Sequence, residues 1–274
     1  QWQKPDGLDA AFESIGRLYE DRGRAFTQKT NEAQTEHDFV QPVLHILWAE
    51  DEPGDCYQVQ TSIPVVHAHR KPDYAFFTSA ETRRAADEHA NTPEYWQSVI
   101  ALGDAKRWHA SLDKERAAGD DPSAQIANYL YRSKTRWGIL TNGHTWRLYE
   151  QDKSRGGGVY YEVDLADILR KEDPEAFKYF YMFFRREAFV PDASGKSFVE
   201  AVLQGSIDYA TAVGDDLKDA VYDALRQLMN GLCQHERNGL DCSAPETLKR
   251  VHDSSLIVLY RLLFILFAED LDLL

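Results

Sequence analysis

Ser98-Val99-Ile100-Ala101-Leu102-Gly103-Asp104-Ala105-Lys106 is the stretch that decides how this chain reads. Ser98 to Leu102 is apolar and ends at a glycine, which predicts a buried strand. A carboxylate, Asp104, follows directly, and an ammonium, Lys106, stands two residues later. On a strand, residues i and i+2 point to one face, so the two charges converge. A similar string lies upstream, Lys71-Pro72-Asp73-Tyr74-Ala75-Phe76-Phe77, where Asp73 leads into a short aromatic strand predicted over Tyr74 to Thr78. A carboxylate at the edge of an apolar strand is costly unless it is exposed or paired. Two neighbouring strands that bring Asp73 and Asp104 together create a hard-oxygen site. Such a site suits Mg²⁺, which takes one or two carboxylates and keeps waters for a phosphate.

Outward from this centre, the periodicity predicts an amphipathic helix over Leu8 to Arg24. A second helix begins near Asn31, a good cap, and runs through Leu47 with a kink or break at Pro42. Tyr57 to Val66 alternates as a strand, and Asp121-Pro122 opens a helix through Ile126, Tyr129 and Leu130. Trp137 to Thr141 reads as a buried strand returning through Asn142-Gly143, the strongest hairpin signal present, to Thr145–Tyr149. Val159 to Val163 adds a further strand. After Asp173-Pro174 the strand signals stop: a helix over Phe177 to Phe189, a linker over Pro191 to Lys196, and two long helical patterns, Leu217 to Cys233 and Pro245 to Ala268. This order predicts an α/β fold, a mixed sheet of about five strands flanked by helices, followed by an all-α region.

Composition sets the outer bounds. Of 274 residues, 43% are hydrophobic, 28% charged and 12% aromatic, as in an ordinary globular chain. The net charge of -14 argues against a protein that coats nucleic acid nonspecifically. Local basic clusters nevertheless flank the acidic strings: Arg70 with Lys71, Lys106 with Arg107, and Arg132, Lys134 and Arg136. Three cysteines without framework spacing favour a reducing cytoplasm. The longest apolar run, Leu256 to Phe267, carries Arg261 and is short for a bilayer, so it reads as a buried helix and no membrane partner is expected. Cys233, His235, Cys242 and His252 match no zinc-finger spacing. His67, His69 and His109 read as surface residues near the groove. Serine and cysteine nucleophile patterns are absent.

The order of these motifs resembles the PD-(D/E)xK nuclease superfamily, in particular the N-terminal nuclease region of type I and type IIG restriction-modification enzymes of phage defence. The resemblance implies a restriction-endonuclease-like fold. It also implies that Asp73 and Asp104 bind Mg²⁺ (with Mn²⁺ as a substitute), that the Ala105 backbone carbonyl completes the metal shell, and that Lys106 is the catalytic lysine. A glutamate from the first core helix belongs to the same set. Glu32 matches its spacing before Pro42, and Glu36, one turn later on the same face, is the rival. Gln125 and Tyr129 match a Q-x-x-x-Y motif, with i, i+4 spacing that turns both to one helix face. These two, with Arg70, Lys71 and Arg107, are the expected contacts to DNA.

The helical tail, Leu259-Tyr260-Arg261-Leu262-Leu263-Phe264 onward, resembles the connector that joins nuclease to methyltransferase in type IIG enzymes. Residues 1–190 are thus expected to form the nuclease and 191–274 the connector. No glycine-rich S-adenosylmethionine loop, Asn-Pro-Pro-Tyr motif or Walker A sequence occurs. Methyltransferase and target-recognition domains, and S-adenosylmethionine with them, are expected only in a longer protein. The leading expectation is hydrolysis of double-stranded DNA, with two copies or two sequential nicks for a double-strand cut. The competing expectation is a catalytically silent DNA-binding or assembly module of the same fold. A nuclease acting on RNA or modified DNA is a third.

Overall fold

The computed structural model describes residues 3–59, 71–90, 92–113, 121–155 and 158–271. The chain divides into two compact units, 1–201 and 202–274.

The first unit is built on a six-stranded mixed sheet in sequential order. Its strands are β1 (Tyr57–Val59), β2 (Tyr74–Phe76), β3 (Ala101–Ala105), β4 (Trp137–Thr141), β5 (Thr145–Glu150) and β6 (Tyr161–Asp164). All neighbours are antiparallel except β3 and β4, which run parallel with Asp104 beside Leu140. Parallel neighbours need a crossover, and it contains helix α5, numbered after α1 (Leu8–Asp21), α2 (Glu32–Thr35), α3 (Gln41–Leu47) and α4 (Ala80–Asp87) and spanning Pro122–Ser133. Helices α6 (Leu165–Arg170) and α7 (Pro174–Phe184) follow the sheet. Two of these, α4 and α6, carried no signal strong enough to be expected. The strand expected over Val159 to Val163 begins instead at Tyr161, because its pairing is set by Leu148 opposite Tyr161. The part of the expected first strand beyond Val59 lies outside the described residues.

The sheet is covered on both faces. On one, Ala75, Phe77, Leu102, Leu140 and Tyr149 pack with Ile126, Tyr129 and Leu130 of α5. A Cβ at Gly138 would meet Ile126 and Leu130 at 3.1 Å, so this glycine lets α5 lie close on β4. On the other face, Trp48 packs on Phe76 with ring centroids 4.4 Å apart, and Trp146 meets Phe180 and Phe184 of α7.

Asn31 caps α2, its side chain accepting from the Gln34 N–H at 2.8 Å. Between α2 and α3 the expected kink is a π-helical stretch, Glu36–Val40, in which the Gln41 N–H bonds back to the Glu36 carbonyl. Pro42 has no N–H to continue the ordinary ladder, and the wider turn absorbs that loss.

In the second unit α8, which starts in the first at Phe198 and runs to Gln234, is far longer than the Leu217 to Cys233 pattern that announced it. Exposed apolar residues such as Tyr209 and Val213 had obscured its periodicity. Helix α9 spans Pro245–Asp270. Two expectations fail here. Cys233 and Cys242 form a disulfide, so the cysteine spacing does not argue for a reducing compartment and offers no zinc ligands. The apolar run expected to be buried is largely exposed, Phe264 at 70%, because α9 buries only the seam Val251, Ser255, Leu259 and Ala268. A helix apolar all round needs neighbours on every side. At 26 residues and a mean hydropathy of 1.6 over its best window, α9 is also long and apolar enough to cross a membrane, by length and composition alone.

Candidate active site

Strand β2, which Asp73 immediately precedes, sets the site. Its register with β3 pairs Tyr74 with Gly103, and one further step sets Asp73 opposite Asp104. Both point to the face that α5 covers, by alternation from Ala75 and Leu102. The Asp73 carboxylate accepts the Ala105 N–H at 2.8 Å, which holds it against the end of β3. The Lys106 N–H donates in the other direction, to the Thr141 carbonyl at 2.8 Å. Across a trans peptide the carbonyl of Ala105 therefore points away from β4, toward the side of Asp73.

The Lys106 ammonium bonds to Asp104 Oδ2. Asp104 is 2% exposed and the Lys106 side chain 16%. Burial is the main reason the Asp104 carboxyl is pushed up to about 8. The facing Asp73 adds to the shift, and Lys106 only partly offsets it. Burial raises Asp73 too, against the Ala105 N–H and Lys106. For Lys106 burial alone would favour the neutral amine, but Asp104, Glu32 and Asp73 reverse it and hold the group as an ammonium. Like charges set across a strand pair repel, and a cation relieves them.

Both glutamates of the first core helix face this cluster. Glu32 is exposed, yet its carboxyl is raised by the burial of its surroundings and by Asp73, with Lys106 opposing. Glu36 sits on the π-helical stretch and accepts the Tyr74 hydroxyl at 2.6 Å. Its pKa is raised by burial, with the Tyr74 bond opposing and Asp73 and Glu32 adding. Glu32 adds to the rise of Asp104 and has Lys106 as its leading charged neighbour, while Glu36 also feels Asp73 and Lys106 but is bonded to Tyr74. The Tyr74–Glu36 bond has no local sequence signal, because its partners are 38 residues apart.

From α5, Gln125 donates to the Tyr129 hydroxyl at 2.6 Å, and Tyr129 feels Asp104, Lys106 and Asp73. The pair expected from the i, i+4 spacing is thus bonded together, with Tyr129 within the electrostatic reach of the acidic cluster. Lys71, Arg107 and His109 are exposed, while Arg70, His67 and His69 lie outside the described residues. The third basic cluster is largely engaged elsewhere: Arg136 pairs with Glu150 and Glu200, and Arg132 bonds Asn128. Arg147, on the same row of the sheet as Asp104, is 5% exposed and held by Asp113 and Glu162 with its guanidinium 4.1 Å over Tyr160. It is a structural cation of β5. Cys56 is buried, and burial with the neighbouring Asp55 pushes its thiol up to about 12, which rules it out as a nucleophile near neutrality.

Among the described residues no three His, Cys, Asp or Glu side chains converge tightly enough to form a metal cage by themselves. The donor chemistry still fits Mg²⁺ or Mn²⁺: two facing carboxylates, both raised chiefly by burial, and a backbone carbonyl on the same side. Comparison with protein-family models, curated proteins and solved structures yields no match.

Proposed function

We propose that this chain is a Mg²⁺-dependent DNA endonuclease domain with a restriction-endonuclease-like fold, from a restriction-modification enzyme. The observation that carries the reading is the register of β2 on β3, which sets Asp73 against Asp104 with Lys106 on the same face. The crossover from β3 through α5 to a parallel β4 agrees with it. Asp73, Asp104, the Ala105 carbonyl and Glu32 would hold the ion. When bound, it supplies Lewis acidity toward the phosphate and lowers the pKa of water.

The chain's own groups do the rest. Lys106, an ammonium while it pairs with Asp104, acts as a donor that orients the attacking water and offsets charge on the phosphate, not as a base. Glu32 adds a carboxylate beside Lys106. Gln125 and Tyr129 line the same site from α5 and contact the DNA backbone, with Lys71 and Arg107 at its rim and Arg70 next to Lys71 in the chain. The helices after residue 190 serve as a connector toward methyltransferase and target-recognition domains of a longer protein, where S-adenosylmethionine would bind.

The test is nicking and linearisation of supercoiled plasmid in Mg²⁺ or Mn²⁺. Wild type should cleave, and Asp104→Ala and Lys106→Ala should each lower the rate by about 10²-fold or more. Cleavage that survives both substitutions would sink the assignment. The Lys106–Asp104 pair itself favours a second reading, a silent DNA-binding module whose lysine permanently fills the cation position. That reading predicts no metal affinity, together with salt-sensitive DNA binding unchanged in Asp104→Ala.

A further inference from the structure

One buried hydroxyl joins the glutamate helix to the lysine strand. Thr35, the last residue of α2, is fully buried between Glu32 and Glu36 in sequence. Its Oγ1 accepts the Trp108 N–H at 3.0 Å and donates to the Asn31 carbonyl at 3.0 Å. Trp108 stands two residues beyond Lys106 and 73 residues from Thr35 in the chain.

The indole of Trp108 does not move easily. Its ring meets Phe26 at 4.9 Å and Phe39 at 5.0 Å, edge-on in both cases, and lies by Tyr19 and His144. On the other side of Lys106, its backbone is bonded to β4 at Thr141. The lysine backbone is therefore clamped at both ends, by β4 and by the hydroxyl of the helix that carries Glu32.

The geometry points to Thr35 as a positioning residue that sets the approach of Glu32 to Lys106 in the hydrolytic site. This rests on the nuclease reading above. Thr35 touches no reacting group itself. Without the hydroxyl acceptor the buried Trp108 N–H loses its partner, the segment after β3 shifts to find another, and Lys106 moves with it. A misplacement of about 1 Å arising far from the chemistry costs up to about 100-fold in rate.

The experiment compares wild type, Thr35→Val, Thr35→Ser and Thr35→Cys. Valine keeps the shape without the acceptor, serine keeps the acceptor without the methyl, and cysteine, a weak acceptor, matches serine in size. Plasmid cleavage gives kcat and KM, and titration with Mn²⁺ alone by calorimetry gives metal affinity. The expected result is a kcat lower by about 10- to 100-fold in Thr35→Val with KM for DNA unchanged. Mn²⁺ affinity falls severalfold in the same variant, and Thr35→Ser stays close to wild type in both readouts. If Thr35→Val does not fold, the serine and cysteine variants carry the same comparison. A valine variant, or failing that a cysteine variant, with wild-type kcat and Mn²⁺ affinity, however low its melting temperature, makes the hydroxyl merely structural and overturns the inference. Wild type without metal-dependent cleavage overturns the nuclease reading and this inference with it.

Discussion

Asp104 is the residue on which chemistry and stability oppose each other. Its burial and the facing Asp73 keep its carboxyl protonated well above the usual range, up to about 8. An acid raised in this way binds more protons folded than unfolded between the two pKa values, so stability falls as pH rises through that window. For Asp104 the window runs from its ordinary 3.8 to about 8. Asp104→Asn removes this contribution while keeping the shape. The melting temperature of the variant minus that of wild type should therefore become more positive from about pH 5 to about pH 8 in metal-free buffer. A difference that stays level across that range would mean the buried carboxyl titrates normally. Lys106 limits the effect, since its ammonium already stabilises the ionised form in part.

Among the elements, the β4–β5 hairpin shows how a turn reaches the site. The two loop residues are Gly143 and His144, with Asn142 at the flank, where its side chain accepts the Thr145 N–H at 2.7 Å and donates to the Ala110 carbonyl at 2.8 Å. Gly143 has φ +81°, and a Cβ there would meet the Trp108 ring at 2.8 Å. Gly143→Ala is expected to cost about 1–3 kcal/mol through backbone strain and overpacking. Chemical denaturation with tryptophan fluorescence measures it, and a loss within the error of zero would mean the turn relaxes without moving Trp108. The same logic explains the π-helical stretch before Pro42: one missing N–H changes the local ladder without ending the helix, and the chain continues into α3.

At the scale of the molecule, residues 1–201 hold the sheet, both of its covered faces and every residue of the candidate site. A chain cut after Ala201 should therefore melt in one cooperative transition by calorimetry, because its core is complete. A broad or absent transition would show that the second unit supplies part of that core. The second unit presents the opposite case, with α9 exposing Tyr260, Leu262, Phe264, Leu266 and Phe267.

The local pattern of residues was enough to determine the α5–β4–β5 run, the caps at Asn31 and Asp121, and the two strings that carry Asp73, Asp104 and Lys106. Each depends on neighbours a few residues away: strand alternation, a side chain bonding the next turn, or a Pro at the start of a helix. The strand expected over Ser98 to Leu102 lies instead at Ala101–Ala105, where the backbone pairs with β2 and β4. Other features were decided only by the folded chain. The pairing of Asp73 with Asp104, the reach of Tyr74 to Glu36, the Thr35–Trp108 bond and the Cys233–Cys242 disulfide join segments whose meeting no local pattern encodes. The exposure of α9 belongs with them. Periodicity reports that a face is apolar, but what covers it is settled by packing, and the residues described here cover only one seam.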